Sequence, residues 1–182
     1  PTLANNLSVF PTKEIFMSRR IQPGLEEVLQ LPMTHQETVI PDYLDEMGHM
    51  NVQFYTKMFD RAIDSVFRMI GFDGEYMEQN EAGSFALEAH TCYLAEARVD
   101  HDIVVHSRFI ARTAKRFQMM HFMINETRGR LAATLEVVAA HIDMTDRRMS
   151  RFPEEMAGKI EQYVQEHQAL DWEAPLCGVM RP

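Results

Sequence analysis

Cysteine is scarce in this chain of 182 residues, which contains only Cys92 and Cys177. Two cysteines are too few for the disulfide framework of a small secreted domain, and they suit a reducing compartment. The sequence also lacks an apolar run of the roughly 20 residues that a membrane-spanning helix needs. Its first residues do not have the positively charged segment followed by an apolar segment that is typical of a signal peptide. We therefore expect a cytoplasmic protein with no membrane partner.

Basic residues are under-represented, because 18 lysines and arginines stand against 27 aspartates and glutamates and give a net charge of −9. Nucleic acids and anionic membrane surfaces both need a basic footprint on the protein, so we expect neither as a partner. A small anionic molecule is still compatible with this balance, since it needs only a local positive field.

Several sequence motifs that carry chemistry are missing. There is no glycine-rich phosphate loop, and "AGSF" around Ser84 lacks the second glycine of a nucleophile elbow. Glu88, His90 and Cys92 alternate along one predicted strand and so share a face. No second ligand cluster of recognised spacing accompanies them. We therefore expect no metal and no other cofactor.

The hydrophobic pattern predicts an α+β domain with one long helix. Apolar side chains recur at helical spacing over residues 51–70, and Gly71 ends this helix. A terminal helix begins near Pro153. Strands are predicted at 35–40, 85–97, 102–113, 116–126 and 130–144. Because the strand connections are short, we expect an antiparallel meander that wraps around the long helix.

Three segments follow from this order of elements. Residues 1–34 form a loosely patterned N-terminal extension that is interrupted by prolines. Residues 35–150 form the domain, and residues 151–182 form a C-terminal helix and tail.

The strand predicted at 116–126 is apolar on both faces. A strand with one solvent-exposed face alternates apolar and polar residues, so both faces of this strand need a cover. We expect the long helix to cover one face and another subunit to cover the second. We therefore expect a dimer of dimers rather than a simple dimer.

The stretch "DYLDEMGHMNVQFY", residues 42–55, concentrates polar residues directly before the long helix. One interpretation is a helix cap made by Asn51, or by Asp45 with Gly48. The other is a site, because a helix N-terminus offers free N–H donors and a partial positive charge. These would stabilise a carbonyl oxygen that becomes negative during reaction, and an adjacent Asp45 would attack that carbonyl.

The segment "DEMGHMNVQFYTKMF" resembles the D-x-x-G-H-x-N-x-x-x-Y signature of hotdog-fold acyl-CoA thioesterases of the 4-hydroxybenzoyl-CoA thioesterase type. "HTCYLAEARVDHDIVVHSRF" and "GRLAATLEVVAAHIDMTDRRMSRFP" are similar to later strands of that family. The resemblance covers about residues 35–156. It implies a hotdog fold, an acyl-CoA substrate, thioester hydrolysis and a homodimer.

The resemblance also implies roles for individual residues. Asp45 corresponds to the carboxylate that acts as nucleophile or general base, and His49 joins it as a catalytic residue. The expected substrate-binding residues of the turn and helix are Gly48, Asn51, Val52 and Tyr55, with an amide near Val52 polarising the thioester carbonyl. Family active sites lie at a dimer interface, so Glu88 and His90 are expected to face the partner subunit's Asp45.

The sequence leaves open which acyl group is the substrate and whether the protein is a thioesterase at all. Residues 70–99 resemble a subgroup linked to carnitine breakdown that acts on betainyl-CoA, whose trimethylammonium group suits aromatic or acidic side chains. Candidates for that recognition are Tyr43, Phe54, Tyr93, Trp172 and Glu88. The alternatives to a thioesterase are a non-catalytic acyl-CoA binding module and a hotdog dehydratase of 3-hydroxyacyl thioesters.

Overall fold

The structure is a computed structural model that describes residues 22–182, so residues 1–21 of the predicted extension lie outside it. The strands are β1 (Met33–Thr38), β2 (Ala82–Tyr93), β3 (Asp102–Arg112), β4 (Arg116–Asn125), β5 (Arg130–Asp143) and β6 (Arg148–Met149). The α-helices are α1 (Leu25–Val28), α2 (Val52–Ile70), α3 (Gly74–Gln79) and α4 (Glu154–Gln168). The five long strands and the two long helices confirm the predicted elements, whereas the short β6 was not predicted.

Helix α2 is the centre of the fold. Asn51 caps its first turn, and Gly71 ends it in the left-handed conformation with φ of 79°. With 19 residues it is about 28 Å long, which is enough to cross the sheet. Its apolar face packs against inward side chains of the sheet such as Phe117, Met119 and Val137. This antiparallel sheet around one long helix confirms the predicted α+β hotdog fold.

The order of the strands differs from a simple meander at one point. The sheet runs β1-β3-β4-β5-β2, with β6 paired to β5, and every strand pair is antiparallel. Strand β2 therefore lies at one edge beside β5, and β1 lies next to β3. The connection from β2 to β3, residues 94–101, therefore joins two strands that are separated in the sheet by β4 and β5. The meander holds only for β3, β4 and β5.

The prediction that another subunit covers the second face of β4 was wrong. That outer face is covered by α1 and by the C-terminal tail of the same chain. The shared cluster consists of Val28, Leu31, Val104, Met120, Phe122, Ile124 and Trp172. Trp172 packs edge to face on Phe122, with ring centroids 5.6 Å apart. The expectation failed because these covering residues come from segments with no repeating hydrophobic pattern.

Two buried charged residues of the sheet hold this tail in place. Arg108 of β3 donates hydrogen bonds to the carbonyls of His167 (2.7 Å) and Trp172 (2.9 Å), and its guanidinium lies 4.2 Å from the Trp172 ring centroid. Glu136 of β5 accepts hydrogen bonds from Gln118 and from the backbone N–H of Cys177. A buried charge is costly unless it is hydrogen-bonded, so the tail and the sheet depend on each other.

The division into an extension, a domain and a tail at residues 34 and 150 stays a prediction. No helix in the described part of the chain is long and apolar enough to cross a membrane. Among residues 22–182, no group of three or more His, Cys, Asp or Glu side chains is arranged to hold a metal ion.

Candidate active site

A pocket of about 340 Å³ opens where the N-terminus of α2 meets the segment after β2. Its walls are Asp45, His49, Met50, Val52, Tyr55, Tyr93, Leu94, Ala95 and Glu96. A second pocket of about 350 Å³ lies between α3 and the residues that follow β5, and it contains none of the predicted site residues. The first pocket brings together four residues predicted from the signature and is therefore the candidate active site.

The turn before α2 is closed by Asp45. The backbone N–H of Asp45 donates to the carbonyl of His49 (2.8 Å), and the N–H of Gly48 donates to the carbonyl of Asp45 (3.0 Å). The Asp45 Oδ1 atom accepts hydrogen bonds from the N–H groups of Met47 (2.9 Å) and His49 (3.2 Å). Gly48 takes a φ of 77°, which a side chain would disfavour. Asp45 Oδ2 has no hydrogen-bond partner among residues 22–182.

The first turn of α2 leaves one amide available. The N–H of Gln53 donates to Asn51 Oδ1 (3.1 Å), and the N–H of Phe54 donates to the Asn51 carbonyl (2.9 Å). The N–H of Val52 has no acceptor within the described part of the chain, and Val52 lines the pocket. A helix N-terminus concentrates partial positive charge, and a free N–H at this position is chemically suited to binding a negatively charged oxygen. Asn51 thus serves as the helix cap.

His49 takes part in a charged cluster that the sequence did not predict. Its Nε2 lies 2.7 Å from Oε2 of Glu96 and 3.3 Å from a guanidinium nitrogen of Arg98. Arg98 in turn binds the other oxygen of Glu96 through Nη2 (2.8 Å) and Nε (3.0 Å). Glu96 comes from the segment after β2, and no motif in the sequence indicates that it meets His49.

Two tyrosines form the aromatic side of the pocket. The Tyr55 hydroxyl donates to the Ala95 carbonyl (3.2 Å) and accepts from the Ala97 N–H (3.1 Å). Tyr93 lies edge to face on Tyr55, with ring centroids 5.3 Å apart. Burial raises the pKa of Tyr55, so this phenol stays neutral and keeps both hydrogen bonds. The N–H of Met50 also donates to the Ala97 carbonyl, at 2.8 Å. The segment after β2 is therefore attached to both the turn and the helix.

The start of the turn is anchored by Tyr43. Its ring stacks on Phe54 at 4.2 Å, and the Lys57 ammonium lies 4.5 Å from the ring centroid. The Tyr43 hydroxyl donates to Glu37, which also accepts from Lys57 (2.9 Å) and pairs with His35 (3.0 Å). Burial acts to raise the pKa of Glu37, but hydrogen bonds from Tyr43, Lys57 and His35 outweigh it and lower the pKa to about 2.

The remaining predicted residues lie elsewhere. Glu88 and His90 of β2 do not line the pocket of their own chain, and His90 Nδ1 lies 3.8 Å from the sulfur of Cys92. Their position opposite a partner subunit stays a prediction. Of the candidates for a quaternary ammonium group, Tyr93 lines the pocket, whereas Tyr43 anchors the turn and Trp172 covers the outer face.

A comparison with protein families matches residues 39–160 to a model described as the thioesterase-like superfamily. The chain is 26% identical over 141 residues to a betainyl-CoA thioesterase of Pseudomonas aeruginosa, covering 78% of this chain and 89% of that protein. It is 24% identical over 129 residues to an L-carnitine dehydrogenase/betainyl-CoA thioesterase of Rhizobium meliloti. That match covers 71% of this chain and 26% of the relative, so the chain spans about a quarter of the relative's length.

Solved structures show the same fold. A hypothetical protein from Staphylococcus aureus in complex with CoA has a TM-score of 0.74 and 25% identity, covering 84% of this chain and 96% of that chain. A putative thioesterase from Pseudomonas putida has a TM-score of 0.69 and 23% identity, with the same coverage of 84% and 96%. A 1,4-dihydroxy-2-naphthoyl-CoA thioesterase from Synechocystis has a TM-score of 0.63 and 16% identity, covering 70% and 94%.

The anchor of the turn predicts a pH-dependent stability. The folded-state pKa of Glu37, about 2, lies below the ordinary value of 4.5. The ionised carboxylate therefore stabilises the fold fully above about pH 4.5, and this stabilisation is lost as the pH falls towards 2. We expect Glu37→Gln to lower the free energy of unfolding at pH 7 by about 1–2 kcal/mol, allowing for solvent screening. Urea denaturation at pH 7, 5 and 3 measures the difference.

The matched control is Glu26→Gln, which removes the same charge from an exposed residue of α1 and should change little at any pH. A difference between Glu37→Gln and the unaltered protein that is as large at pH 3 as at pH 7 would contradict this role.

Proposed function

The chain belongs to the thioesterase-like superfamily and is a thioester hydrolase, and we propose that its substrate is an acyl-CoA with a small or polar acyl group. Support for CoA comes from the Staphylococcus aureus relative, which was solved in complex with CoA. Support for a small acyl group comes from the volume of the pocket, about 340 Å³, at the low end of ligand pockets.

One observation carries the proposed mechanism. Val52 and Asp45 line the same pocket, and neither the Val52 N–H nor Asp45 Oδ2 has a hydrogen-bond partner among residues 22–182. A thioester carbonyl held by the Val52 N–H becomes more electrophilic, and the oxyanion formed on attack is stabilised by the same donor. The Asp45 Oδ1 atom is occupied by two amides of the turn, which orients Oδ2 and keeps it available.

The reaction follows by either of two routes. With Asp45 as general base, Oδ2 accepts a proton from water while the water oxygen bonds to the carbonyl carbon. The C–S bond then breaks, and the proton passes to the CoA thiolate, leaving the free acid. With Asp45 as nucleophile, Oδ2 itself bonds to the carbonyl carbon and expels the thiolate, and water then hydrolyses the mixed anhydride. The arrangement of Asp45 is compatible with both routes.

The side chains of the pocket favour a positively charged acyl group. Tyr55, Tyr93 and Asp45 line it, and none of its lining residues within the described part of the chain is a lysine or an arginine. Arg98 lies close by and pairs with the lining residue Glu96, so these two charges offset each other and Asp45 supplies the negative charge of the pocket. A quaternary ammonium group is attracted to aromatic faces and to carboxylates. Together with the betainyl-CoA thioesterase relative, this supports betainyl-CoA as the substrate, with Tyr93 as a recognition residue.

Strand β2 supports a homodimer. One edge of β2 pairs with β5, and its other edge has no strand partner among the described residues. Phe85 and Leu87 on this strand are 38% and 43% exposed. A long apolar edge strand readily pairs with a second copy, which would bring Glu88 and His90 towards the other subunit. Because the tail covers the outer face of the sheet, the reason to expect a dimer of dimers no longer applies.

The first test is the substitution Asp45→Asn. We expect it to lower kcat on the best substrate of an acyl-CoA panel by at least about 10²–10³-fold, the usual loss for an oxyanion donor. Release of free thiol measures turnover. The Asn side chain still accepts the two amide hydrogen bonds, so light scattering should give a mass of two chains for the variant and for the unaltered protein. The control Asp42→Asn, on an exposed residue three positions earlier, should keep full activity.

Near-native turnover by Asp45→Asn would refute the assignment of Asp45. A monomer with full activity would refute the dimer. Formation of an enoyl product would point instead to a dehydratase.

The second test compares betainyl-CoA with 3,3-dimethylbutyryl-CoA, in which a carbon replaces the quaternary nitrogen. The two acyl groups have the same shape and differ only in charge. We expect kcat/KM to be at least tenfold higher for betainyl-CoA. Tyr93→Leu should lower that preference by about 3- to 30-fold, the range that a cation–π contact supplies, while activity on the neutral analogue changes little. Equal activity on both substrates in the unaltered protein would contradict a cation-selective pocket.

A further inference from the structure

The two ring nitrogens of His49 have different surroundings. Nε2 lies 2.7 Å from Glu96 Oε2, at the distance of a charge-assisted hydrogen bond. Nδ1 has no hydrogen-bond partner in the described part of the chain. His49 lines the same pocket as Asp45. Only one nitrogen of His49 is therefore committed to the protein.

The neighbouring charges determine which nitrogen carries the proton. Nε2 cannot donate to Glu96 and at the same time accept a hydrogen bond from Arg98, which lies 3.3 Å away. The contact with the Glu96 carboxylate is shorter by more than half an ångström. Arg98 has its own acceptor, since two of its nitrogens bind Oε1 of Glu96. Nε2 is consequently the protonated nitrogen, and neutral His49 has its acceptor lone pair on Nδ1.

Both carboxylate oxygens of Glu96 have a partner. Arg98 binds its Oε1 twice and leaves Oε2 for His49. The residues on both sides of Glu96 are tied to the helix, because the Tyr55 hydroxyl binds the Ala95 carbonyl and the Ala97 amide. A carboxylate that is bound at one oxygen by an arginine and attached through its backbone neighbours can orient a histidine with its other oxygen.

We infer that Glu96 is a positioning residue for His49, which holds the imidazole in the Nε2–H form so that Nδ1 accepts a hydrogen bond from the attacking water. This inference rests on the proposed function, because it assigns a task within that hydrolysis. Water has two hydrogens, so Asp45 Oδ2 takes one as the proton that is transferred, and Nδ1 orients the other. Because Nδ1 only accepts a hydrogen bond, the protons of the reaction balance as in the proposed mechanism.

Kinetics of single and double variants test the role of Glu96. We expect Glu96→Gln to lower kcat about tenfold, the lower end of the loss seen when a partner that orients a histidine is removed, with KM changed less than twofold. His49→Gln should lower kcat at least as much. The double variant should be no slower than His49→Gln alone, because Glu96 acts through His49. The control Glu46→Gln, an exposed acid of the same turn, should leave kcat unchanged.

The inference would be overturned if the kcat losses of the two single variants multiplied in the double variant. It would also be overturned if Glu96→Gln changed KM and left kcat unaltered. A third contradicting result is full activity of Glu96→Gln together with an inactive Asp45→Asn. That result would overturn the inference and leave the proposed function intact.

Nitrogen-15 NMR of His49 tests the inference without any substrate. The unaltered protein should show the Nε2–H tautomer with an unprotonated Nδ1. Glu96→Gln should show a mixture of tautomers, since an amide side chain both donates and accepts. A protonated Nδ1 in the unaltered protein would overturn the inference. If no acyl-CoA is hydrolysed, the proposed function fails, and the tautomer still decides whether Glu96 controls His49.

Discussion

The site depends on how the turn before α2 uses its own backbone donors. Asp45 accepts two amides through one carboxylate oxygen, the Met50 amide binds the Ala97 carbonyl, and the Asn51 amide binds the Tyr43 carbonyl. Once these bonds are made, the Val52 amide is the N–H of the first turn of α2 that has no acceptor among residues 22–182. The polar residues before the helix thus form a cap, and in the proposed mechanism they also form the site: their hydrogen bonds fix the turn and leave one helix donor and one carboxylate oxygen available.

Polar side chains also attach neighbouring segments to each other elsewhere in the molecule. The Tyr43 hydroxyl is hydrogen-bonded to Glu37 of β1 and to Lys57 of α2, which are also bonded to each other. Tyr43 therefore attaches the start of the turn to both elements. The segment after β2 is attached by Tyr55, so the opposite wall of the pocket is positioned by the helix as well. On the outer face of the sheet, Arg108 and Glu136 bind the C-terminal tail. That tail occupies a surface which the sequence alone would leave for another subunit.

Local patterns explain how much could be predicted from the sequence. The helix at 52–70 and the long strands follow from apolar periodicity, and Asp45, His49, Val52 and Tyr55 lie within one short signature beside a helix end. Long-range pairing is different, because nothing local encodes it. Glu96 meets His49 only because β2 ends beside the turn. The placement of β2 at the sheet edge, and of Trp172 on the outer face, likewise depends on which surfaces are left uncovered after the strands pair.

The central claim is that the Val52 N–H polarises the thioester, and Val52→Pro tests it most directly. Proline removes this N–H and is well tolerated at the first position of a helix. The preceding Asn51, with φ of −63° and ψ of 143°, already has a conformation that a following proline allows. We predict that kcat on the best acyl-CoA substrate falls about 10²–10³-fold while circular dichroism shows an intact fold. A correctly folded Val52→Pro variant with undiminished kcat would contradict the account.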